Sequence, residues 1–242
     1  MPTTHLTCNL TRPFLTASWQ DLLLLNWRVD PRLLQPYLPE GTELDSFCGE
    51  HYVSLVGFRF LNMAVKGVPA VGFRDFPEVN LRFYVCRNTA EDVRRGVVFI
   101  REMTPRRLVE WFAQRFYNEP YRTLPMRYQI EEQYVSYEWK LDGRWQGMSI
   151  QPSGEWNEPP SNSNDTFFIE HYWGYSQQRD GGTLEYEVTH PKWRVRLAKL
   201  IRFDPCLAKL NGSEWEEVLT VEPESVVLAE GSEVAVFPGR RI

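Results

Sequence analysis

The sequence lacks the cysteine spacing of a metal site or a disulfide framework. Its four cysteines, Cys8, Cys48, Cys86 and Cys206, stand far apart and form no Cys-x-x-Cys pair. Structural zinc sites and disulfide-stapled secreted domains usually show short, regular spacings. We therefore expect no metal, no disulfide framework and a reducing, cytoplasmic location.

Long hydrophobic runs and clusters of one charge sign are also missing. The longest aliphatic run, Leu22 to Leu25, is far shorter than the roughly 20 apolar residues of a membrane span. The N-terminus has no basic region followed by an apolar one, as a signal peptide would have. The net charge is -5, and no basic stretch offers the field that nucleic-acid phosphates require. We expect neither a membrane nor a nucleic acid as partner.

The chain does contain enough apolar and aromatic side chains for one core. Its 242 residues are 43% hydrophobic and include 9 Trp, 11 Tyr and 14 Phe, which favour β structure. We expect one domain over residues 1–242. Short apolar stretches between turns predict a mainly β fold, an antiparallel barrel or sandwich. The predicted strands are Leu22 to Val29, Tyr52 to Phe60, Val79 to Cys86, Gly96 to Arg101, Gln133 to Leu141, Trp145 to Ile150, Phe167 to Tyr175, Leu184 to Thr189 and Val234 to Phe237.

A few segments break the strand pattern. Asp30-Pro31 predicts the capped start of a first helix. Thr104-Pro105 opens a second helix, whose apolar stripe runs from Leu108 to Tyr117 at intervals of three and four. Pro152 to Asp165 is predicted to be a long loop, and residues 207–219 to form one or two short helices.

A polar row runs along the segment that begins at Glu78. Strand alternation places Glu78, Asn80, Arg82 and Tyr84 on one face and apolar residues on the other. If that face meets solvent, it is the outer side of a barrel strand. If it faces inward, it lines a cavity in which Arg82 can hold a carboxylate by two hydrogen bonds. The alternation leaves both orientations open.

The stretch Glu170-His171-Tyr172-Trp173-Gly174-Tyr175 puts ionisable groups into an aromatic run. Apolar neighbours raise the pKa of a carboxyl and lower that of an imidazole, which produces an acid or a base near neutrality. Alternatively, His171 is hydrogen-bonded in the core and Glu170 meets solvent. Strand alternation separates Glu170 and Tyr172 from His171, Trp173 and Tyr175, so only a bulge would bring all five to one cavity.

A third cluster surrounds His190, at the end of a predicted strand. His190 and His171 could meet across neighbouring strands and bind a metal with Glu170 or Glu187, but no short ligand spacing supports such a site. Just before the second helix, Arg101-Glu102 is either part of a site or a surface ion pair of little energetic weight.

The order of these segments resembles the acetoacetate decarboxylase-like superfamily, and within it the YqjF-like branch of conserved proteins of unknown function. Phe76-Pro77-Glu78-Val79 resembles the segment with an active-site glutamate, which makes Glu78 a catalytic candidate. The resemblance implies a closed, mostly antiparallel β-barrel with a central cavity and a few flanking helices. The stretches that carry it are Trp27 to Leu34 with Leu38-Pro39-Glu40, Phe76 to Val79, Arg101 to Leu108, and Glu170 to Tyr175 with His190-Pro191-Lys192-Trp193.

One of these stretches differs from the decarboxylase where the chemistry depends on it. Its counterpart supplies two adjacent lysines, but Arg106 and Arg107 stand in their place here. A guanidinium stays charged and has no lone pair to attack a ketone, so Arg106 cannot form a Schiff base. Among the other lysines, Lys192 beside His190 is the one to test. The remaining lysines are Lys66, Lys140, Lys199 and Lys209.

The residues and the resemblance lead to two main hypotheses. As an enzyme, the chain uses Glu78, His171 or His190 to move a proton on a small carboxylate or oxo acid, without a cofactor, in enolising, hydratase or lyase chemistry. As a carrier or sensor, it holds a small organic ligand in the same cavity without reaction. The expected ligand-binding residues are Asn80, Arg82, Tyr84, Arg101, Glu102, Arg106, Glu170, Tyr172, Trp173 and Tyr175.

A third hypothesis is a role in interaction through an exposed aromatic face. Such a face would appear as a large apolar surface patch and would favour self-association. A homo-oligomer is therefore open on the sequence alone.

Overall fold

The computed structural model describes residues 12–204 and 212–242, and within them the fold is rich in strands. The strands are β1 (Leu15–Arg28), β2 (Glu43–Leu44), β3 (Tyr52–Val65), β4 (Val68–Pro69), β5 (Phe76–Asn88), β6 (Val93–Thr104), β7 (Tyr121–Thr123), β8 (Met126–Glu131), β9 (Tyr134–Leu141), β10 (Arg144–Asn157), β11 (Trp173–Gln177), β12 (Thr183–Thr189), β13 (Val195–Phe203), β14 (Ser225–Val236) and β15 (Arg240–Arg241). The helices are α1 (Pro31–Leu34), α2 (Arg107–Phe116), α3 (Asn164–Ile169) and α4 (Glu216–Thr220), with single 3-10 turns at Gln35–Tyr37 and Ser213–Trp215.

The pairing of the strands returns on itself. The order β12-β11-β6-β5-β3-β1-β14 is completed by a second pairing of β12 with β14, at Val188 and Val236. Strands β13, β10, β9 and β8 continue the sheet beyond β14. All of these pairs are antiparallel except β6 with β7 and β6 with β11.

The two faces of the ring strands pack into two different apolar clusters. In β1, Leu23 and Leu25 join residues of β9 and β10 such as Trp139, whereas Leu22 and Leu24 join the cluster on the opposite face. A strand that is buried on both faces has to be apolar at every position, which explains the run from Leu22 to Leu25. The polar row of β5 lies on the same side as Leu22.

Both predicted helices are found; the first starts at the predicted Asp30-Pro31, and the second starts two residues after the predicted Thr104-Pro105. Asp30 caps α1 by accepting a hydrogen bond from the Arg32 amide at 2.9 Å, with Pro31 at the first helical position. Helix α2 begins at Arg107, and none of its ten residues is fully buried. No helix among the described residues is long and apolar enough to cross a membrane.

Several sequence predictions are wrong between residues 152 and 175. Phe167 to Tyr175 is not one strand, because Ser163 caps α3 by accepting from the Thr166 amide, and β11 starts only at Trp173. Strand alternation therefore does not apply to residues 170–172. The predicted loop after Pro152 is still strand as far as Asn157.

Three further differences concern elements outside those segments. Strands β8 and β13 are not predicted from the sequence, because nearly all of their residues are exposed or half-buried and give a weak apolar signal. The predicted last strand is the end of β14, and the short β15 follows it. Of the predicted helical segment 207–219, residues 207–211 lie outside the described part.

Candidate functional site

A cavity of about 370 Å³ lies on the side of β5 that carries the polar row. Residues from all seven ring strands border it, together with β7 and α2. Most of the wall is apolar and aromatic, which suits a small organic ligand. The principal wall residues are Trp19, Leu22, Val56, Phe58, Phe60, Phe76, Val97, Phe99, Val109, Phe112 and Trp173.

Three carboxyl groups form what we call the acidic floor, Glu78, Glu102 and Glu119. They are 3%, 3% and 6% exposed, and all three border the cavity. Strand register brings them together: Asn80 of β5 pairs with Glu102 of β6, which pairs with Tyr121 of β7. Glu78 lies two residues before Asn80 on the same face, and Glu119 lies two residues before Tyr121.

Two tyrosines donate hydrogen bonds to the acidic floor. The hydroxyl of Tyr121 donates to Glu78 Oε2 at 2.8 Å, and that of Tyr186 donates to Glu119 Oε1 at 2.9 Å. The Tyr186 ring can approach because Gly174 lies against it, and a Cβ at that position would overlap the ring. By contrast, Glu102 Oε2 is buried without a hydrogen-bond partner among the described residues.

Burial without a cation raises the pKa of every carboxyl in the acidic floor. Desolvation raises the pKa of Glu78 to about 7 and that of Glu119 to about 8. For Glu102, burial and then the negative charges of Glu119 and Glu78 raise the pKa well above its usual value. At neutral pH the floor therefore keeps protons and can both donate and accept them.

The other polar end of the cavity contains Arg82 and His171. Arg82 donates from Nη2 to the Phe168 carbonyl at 2.9 Å, while its buried Nε has no partner among the described residues. The His171 side chain is 3% exposed, and its Nε2 lies 3.6 Å from Asp45 Oδ2. Burial lowers the pKa of His171, although the Asp45 carboxylate opposes the shift. A neutral imidazole and a guanidinium thus share this end.

The structure brings together six of the predicted site residues and separates the rest. Glu78, Asn80, Arg82, Glu102, His171 and Trp173 border the cavity. The predicted site residues that do not border it are Tyr84, Arg101, Arg106, Glu170, Tyr172, Tyr175 and His190.

His190 is packed away from the cavity. Its ring stacks on Trp193 at 4.0 Å, and its Nδ1 lies 2.8 Å from the Pro191 carbonyl oxygen. Burial lowers the pKa of His190 to about 4. It does not combine with His171 into a metal site, since no group of three His, Cys, Asp or Glu residues in the described ranges is placed to hold an ion.

The other outlying candidates make contacts of their own. The Tyr84 hydroxyl lies 2.6 Å from Ser54 Oγ, behind His171. Arg106 donates to the Asp75 carbonyl at 3.0 Å. Arg101 pairs with Leu81, one register position from Glu102 and therefore on the opposite face.

Three of them come from the aromatic run. Tyr172 packs on His190, at 4.7 Å between ring centroids, and the Tyr175 hydroxyl lies 3.2 Å from Glu185 Oε1. Glu170 lies 3.6 Å from the Lys192 ammonium, which is 63% exposed. No lysine is found among the described residues that border the cavity.

Sequence reasoning missed Glu119, Tyr121, Tyr186 and Asp45. Tyr121 begins the three-residue strand β7 and Glu119 lies two residues before it, while Asp45 follows the two-residue strand β2. Strands this short show no alternation in the sequence. The sequence contains one local signal, the asparagine at position 118, because asparagine often follows the end of a helix. In the structure Asn118 has a positive φ of 54° and turns the chain back toward β6. That turn places Glu119 beside the end of β6, where Glu102 lies.

Comparison with known proteins identifies the family of this chain. Residues 16–233 match the DUF2071 family, described as an uncharacterised conserved protein. Protein YqjF of Bacillus subtilis is similar, with 27% identity over 187 residues that cover 75% of each chain.

Solved structures share the fold at low identity. Acetoacetate decarboxylase from Legionella pneumophila superposes with a TM-score of 0.66 at 14% identity, covering 96% of this chain and 88% of that one. The enduracididine biosynthesis enzyme MppR, complexed with pyruvate, superposes with a TM-score of 0.64 at 12% identity, covering 97% and 93%. The resemblance drawn from the sequence is confirmed: this chain belongs to the DUF2071 family, and its strand-rich fold resembles that of acetoacetate decarboxylase.

Proposed function

We propose that the chain is an enzyme that moves protons on a small oxo acid inside this cavity, without a cofactor. The observation that carries the proposal is the acidic floor: three buried carboxyls face one apolar cavity with no cation beside them among the described residues. Groups with pKa values near and above neutrality, held in a dry site, are suited to general acid and base catalysis.

The chemistry assigned to the floor is enolisation of a carbonyl compound. The ionised Glu78 carboxylate takes a proton from the carbon next to the carbonyl, so that a C–H bond breaks and the Glu78 carboxylic acid forms. The protonated Glu102 donates its proton to the carbonyl oxygen, and the substrate becomes the enol. The unpartnered Glu102 Oε2 suits this donor role, as a neutral carboxylic acid in an apolar site can hydrogen-bond a developing oxyanion.

Arg82 supplies the anchor for a carboxylate in this proposal. It lies on the same strand face as Glu78, four residues or about 13 Å along β5, and its guanidinium has an open Nε. An oxo acid that reaches both ends would be held with its carbonyl near the floor. The neighbouring structure of MppR with pyruvate supports the choice of oxo acids as ligands.

The proposal also includes the fold around the cavity, the absence of a Schiff base and the location of the protein. We infer a single domain in which the ring of seven strands is a closed barrel around the cavity, because every strand of that ring contributes to its wall. Schiff-base decarboxylation is not proposed, since Arg106 points to Asp75 and no described lysine borders the cavity. The free Cys48 and Cys86 suit a reducing cytoplasm.

Hydrogen exchange on candidate substrates tests the proposal directly. Pyruvate, acetoacetate, levulinate and phenylpyruvate are incubated with the protein in deuterated buffer, and proton NMR follows exchange at the carbon next to the carbonyl. We expect the protein to accelerate exchange of at least one of them. Glu78→Gln and Glu102→Gln should each slow that reaction by roughly a hundredfold or more, as expected for loss of a catalytic acid or base.

The matched control is Glu155→Gln, which removes an exposed glutamate on β10 and should leave exchange unchanged. The proposal fails if the wild-type protein exchanges none of these compounds faster than buffer. It also fails if both floor variants retain the wild-type rate.

A non-catalytic carrier or sensor is the second candidate, and the mainly apolar wall with its many aromatic side chains favours it. Such a protein depends on wall contacts for affinity and not on any one acid or base. In that case Trp173→Ala should weaken binding of phenylpyruvate about tenfold in a calorimetric titration, while Glu102→Gln should leave binding unchanged and neither protein should show exchange.

A further inference from the structure

The mouth of the cavity carries a concentration of exposed apolar side chains. We call this surface the rim, and it consists of Leu108, Trp111 and Phe116 of α2 with Val68 and Val71 of the connection between β3 and β5. These side chains are between 53% and 81% exposed. They are half of the ten exposed large hydrophobic residues in the described ranges, and all five belong to two segments that contribute residues to the cavity wall.

The rim is continuous with the cavity. Leu108 and Trp111 border the cavity although they are more than half exposed, and so do Val65 and Phe73 from the connection that contains Val68 and Val71. Arg106 joins the two parts by donating to the Asp75 carbonyl at 3.0 Å. An apolar ligand that enters or leaves beside α2 therefore passes the rim.

The exposed charges of the rim segments are mostly basic: the connection between β3 and β5 exposes Lys66 and Arg74 beside one acid, Asp75. On α2 the exposed residues are Arg107, Leu108, Trp111, Arg115 and Phe116, with no acidic side chain among them. Arg115 lies over the Phe116 ring at 5.6 Å, and neither arginine makes an ion pair with any described residue. The acidic residue of this helix, Glu110, is turned inward and accepts from the Thr123 amide.

This combination matches the surface of an anionic bilayer. An exposed helix face with Trp, Leu and Phe between arginines places the apolar side chains at the acyl boundary and the guanidinium groups at the phosphates. A second copy of the chain is a poorer partner. A two-fold contact through this face would bring Arg107 and Arg115 of both copies close together. Helix α2 has no exposed carboxylate that could pair with them.

We propose that the rim docks on an anionic lipid surface, so that a lipophilic ligand can pass between the bilayer and the cavity. The sequence predicts no membrane partner because it contains no spanning segment, but surface docking requires only one amphipathic face. The proposal does not depend on the chemistry of the acidic floor, and it names one specific occupant for the exposed face of the third sequence hypothesis.

Vesicle flotation with the full chain tests the docking. The probes are vesicles of phosphatidylcholine alone and of phosphatidylcholine with about one third phosphatidylglycerol, at low and at high salt. We expect binding to the anionic vesicles only, weakened by salt. Arg107→Gln with Arg115→Gln should reduce partitioning on the order of tenfold or more, since each basic residue near the surface contributes about fivefold. Trp111→Ser should reduce it about tenfold.

Matched controls lie elsewhere on the surface. Arg144→Gln and Leu197→Ser change an exposed arginine and an exposed leucine far in sequence from the rim, and both should bind like wild type. The proposal is overturned if the wild-type chain binds neither vesicle, or if it binds neutral and anionic vesicles equally. It is also overturned if Trp111→Ser dissociates an oligomer in sedimentation velocity, because the rim is then an interface between copies.

Discussion

Glu185 and the acidic floor are both buried carboxylate sites, yet their surroundings are opposite. Glu185 is 0% exposed and lies within 3.0 Å of three guanidinium groups, those of Arg87, Arg94 and Arg240. Within the described ranges, the hydrogen-bond partners of the three floor carboxyls include the neutral side chains of Asn80, Tyr121 and Tyr186 and no arginine.

The difference shows how one residue type serves two purposes. A buried carboxylate that is fully paired stays charged and holds elements together, here β12 with β5, β6 and β15. Carboxyls that are buried together without cations share protons instead, which suits chemistry and costs stability. The two sites are also neighbours: Arg94 lies over the ring of Trp173, a cavity wall residue, at 4.4 Å.

Removing the charge of Glu185 should have the largest effect on stability. In Glu185→Gln, three guanidinium groups lose their shared carboxylate and repel one another. We expect the free energy of unfolding to fall by about 3–5 kcal/mol, as for a broken buried ion pair, measured by urea denaturation. Asp180→Asn, which breaks the exposed pair with Arg241, is the control and should cost less than about 1 kcal/mol. Equal losses in the two variants would show that Glu185 is no structural anchor.

Removing a carboxyl of the acidic floor should change the free energy of unfolding in the opposite direction and raise it. The pKa of Glu119 rises from 4.5 to about 8 on folding, so between these values the folded chain holds a proton that the unfolded chain releases. Stability therefore falls as the pH rises through this window. Glu119→Gln keeps the hydrogen-bond acceptor for Tyr186 but cannot ionise. We expect it to be more stable than wild type at about pH 8, by roughly 1–3 kcal/mol.

Denaturation at a series of pH values checks this prediction. The difference between Glu119→Gln and wild type should shrink as the pH falls below 4.5, where Glu119 is largely protonated in the unfolded chain as well as in the folded chain. A variant that is less stable than wild type at every pH would mean that the floor carboxyls are ionised and paired.

Replacing Asp45 should have a smaller effect, which is confined to the pKa of His171. The Asp45 carboxylate lies beside His171 and raises its pKa against the larger effect of burial. In Asp45→Asn the pKa of His171 should fall further, as an NMR titration of the ring protons can show. The pKa of His190, which Asp45 does not influence, should not move. An upward shift of the His171 pKa would exclude the assigned role of Asp45.

Lys192→Ala should have the smallest effect of all. Its pair with Glu170 is largely exposed, so the change in stability should stay below about 1 kcal/mol. Borohydride treatment with the oxo acids should trap no adduct in the wild-type chain. A covalent adduct at Lys192 or any other lysine would contradict the proposal of a reaction without a Schiff base.

The sequence predicts the floor only in part. Alternation alone places Glu78, Asn80 and Arg82 on one face of β5, but it leaves open which face points inward. The structure gives the reason for the orientation: the apolar face of β5 packs against β9 and β10, so the polar face is left for the cavity. Which sheet covers which face depends on contacts distant in sequence.

The rest of the site depends on such distant contacts entirely. Glu119 joins the floor through the parallel pairing of β7 with β6, which no local sequence pattern predicts. The aromatic run after Ser163 was predicted as strand from its β propensity, yet the cap at Ser163 and the burial of Phe167 and Phe168 favour a helical turn. That turn sets the direction of His171. The composition of the run therefore indicates residues of the site, but its β propensity does not predict its conformation.

The protonation state of the acidic floor at neutral pH is the most direct test of this account. Infrared difference spectroscopy can detect protonated glutamate side chains in the wild-type chain and in Glu102→Gln, with Glu155→Gln as control. We predict a carboxylic acid band at neutral pH that weakens in Glu102→Gln but not in Glu155→Gln, and that loses the contribution of Glu119 as the pH rises past about 8. Complete ionisation of all glutamates at neutral pH in the wild-type chain would contradict the account.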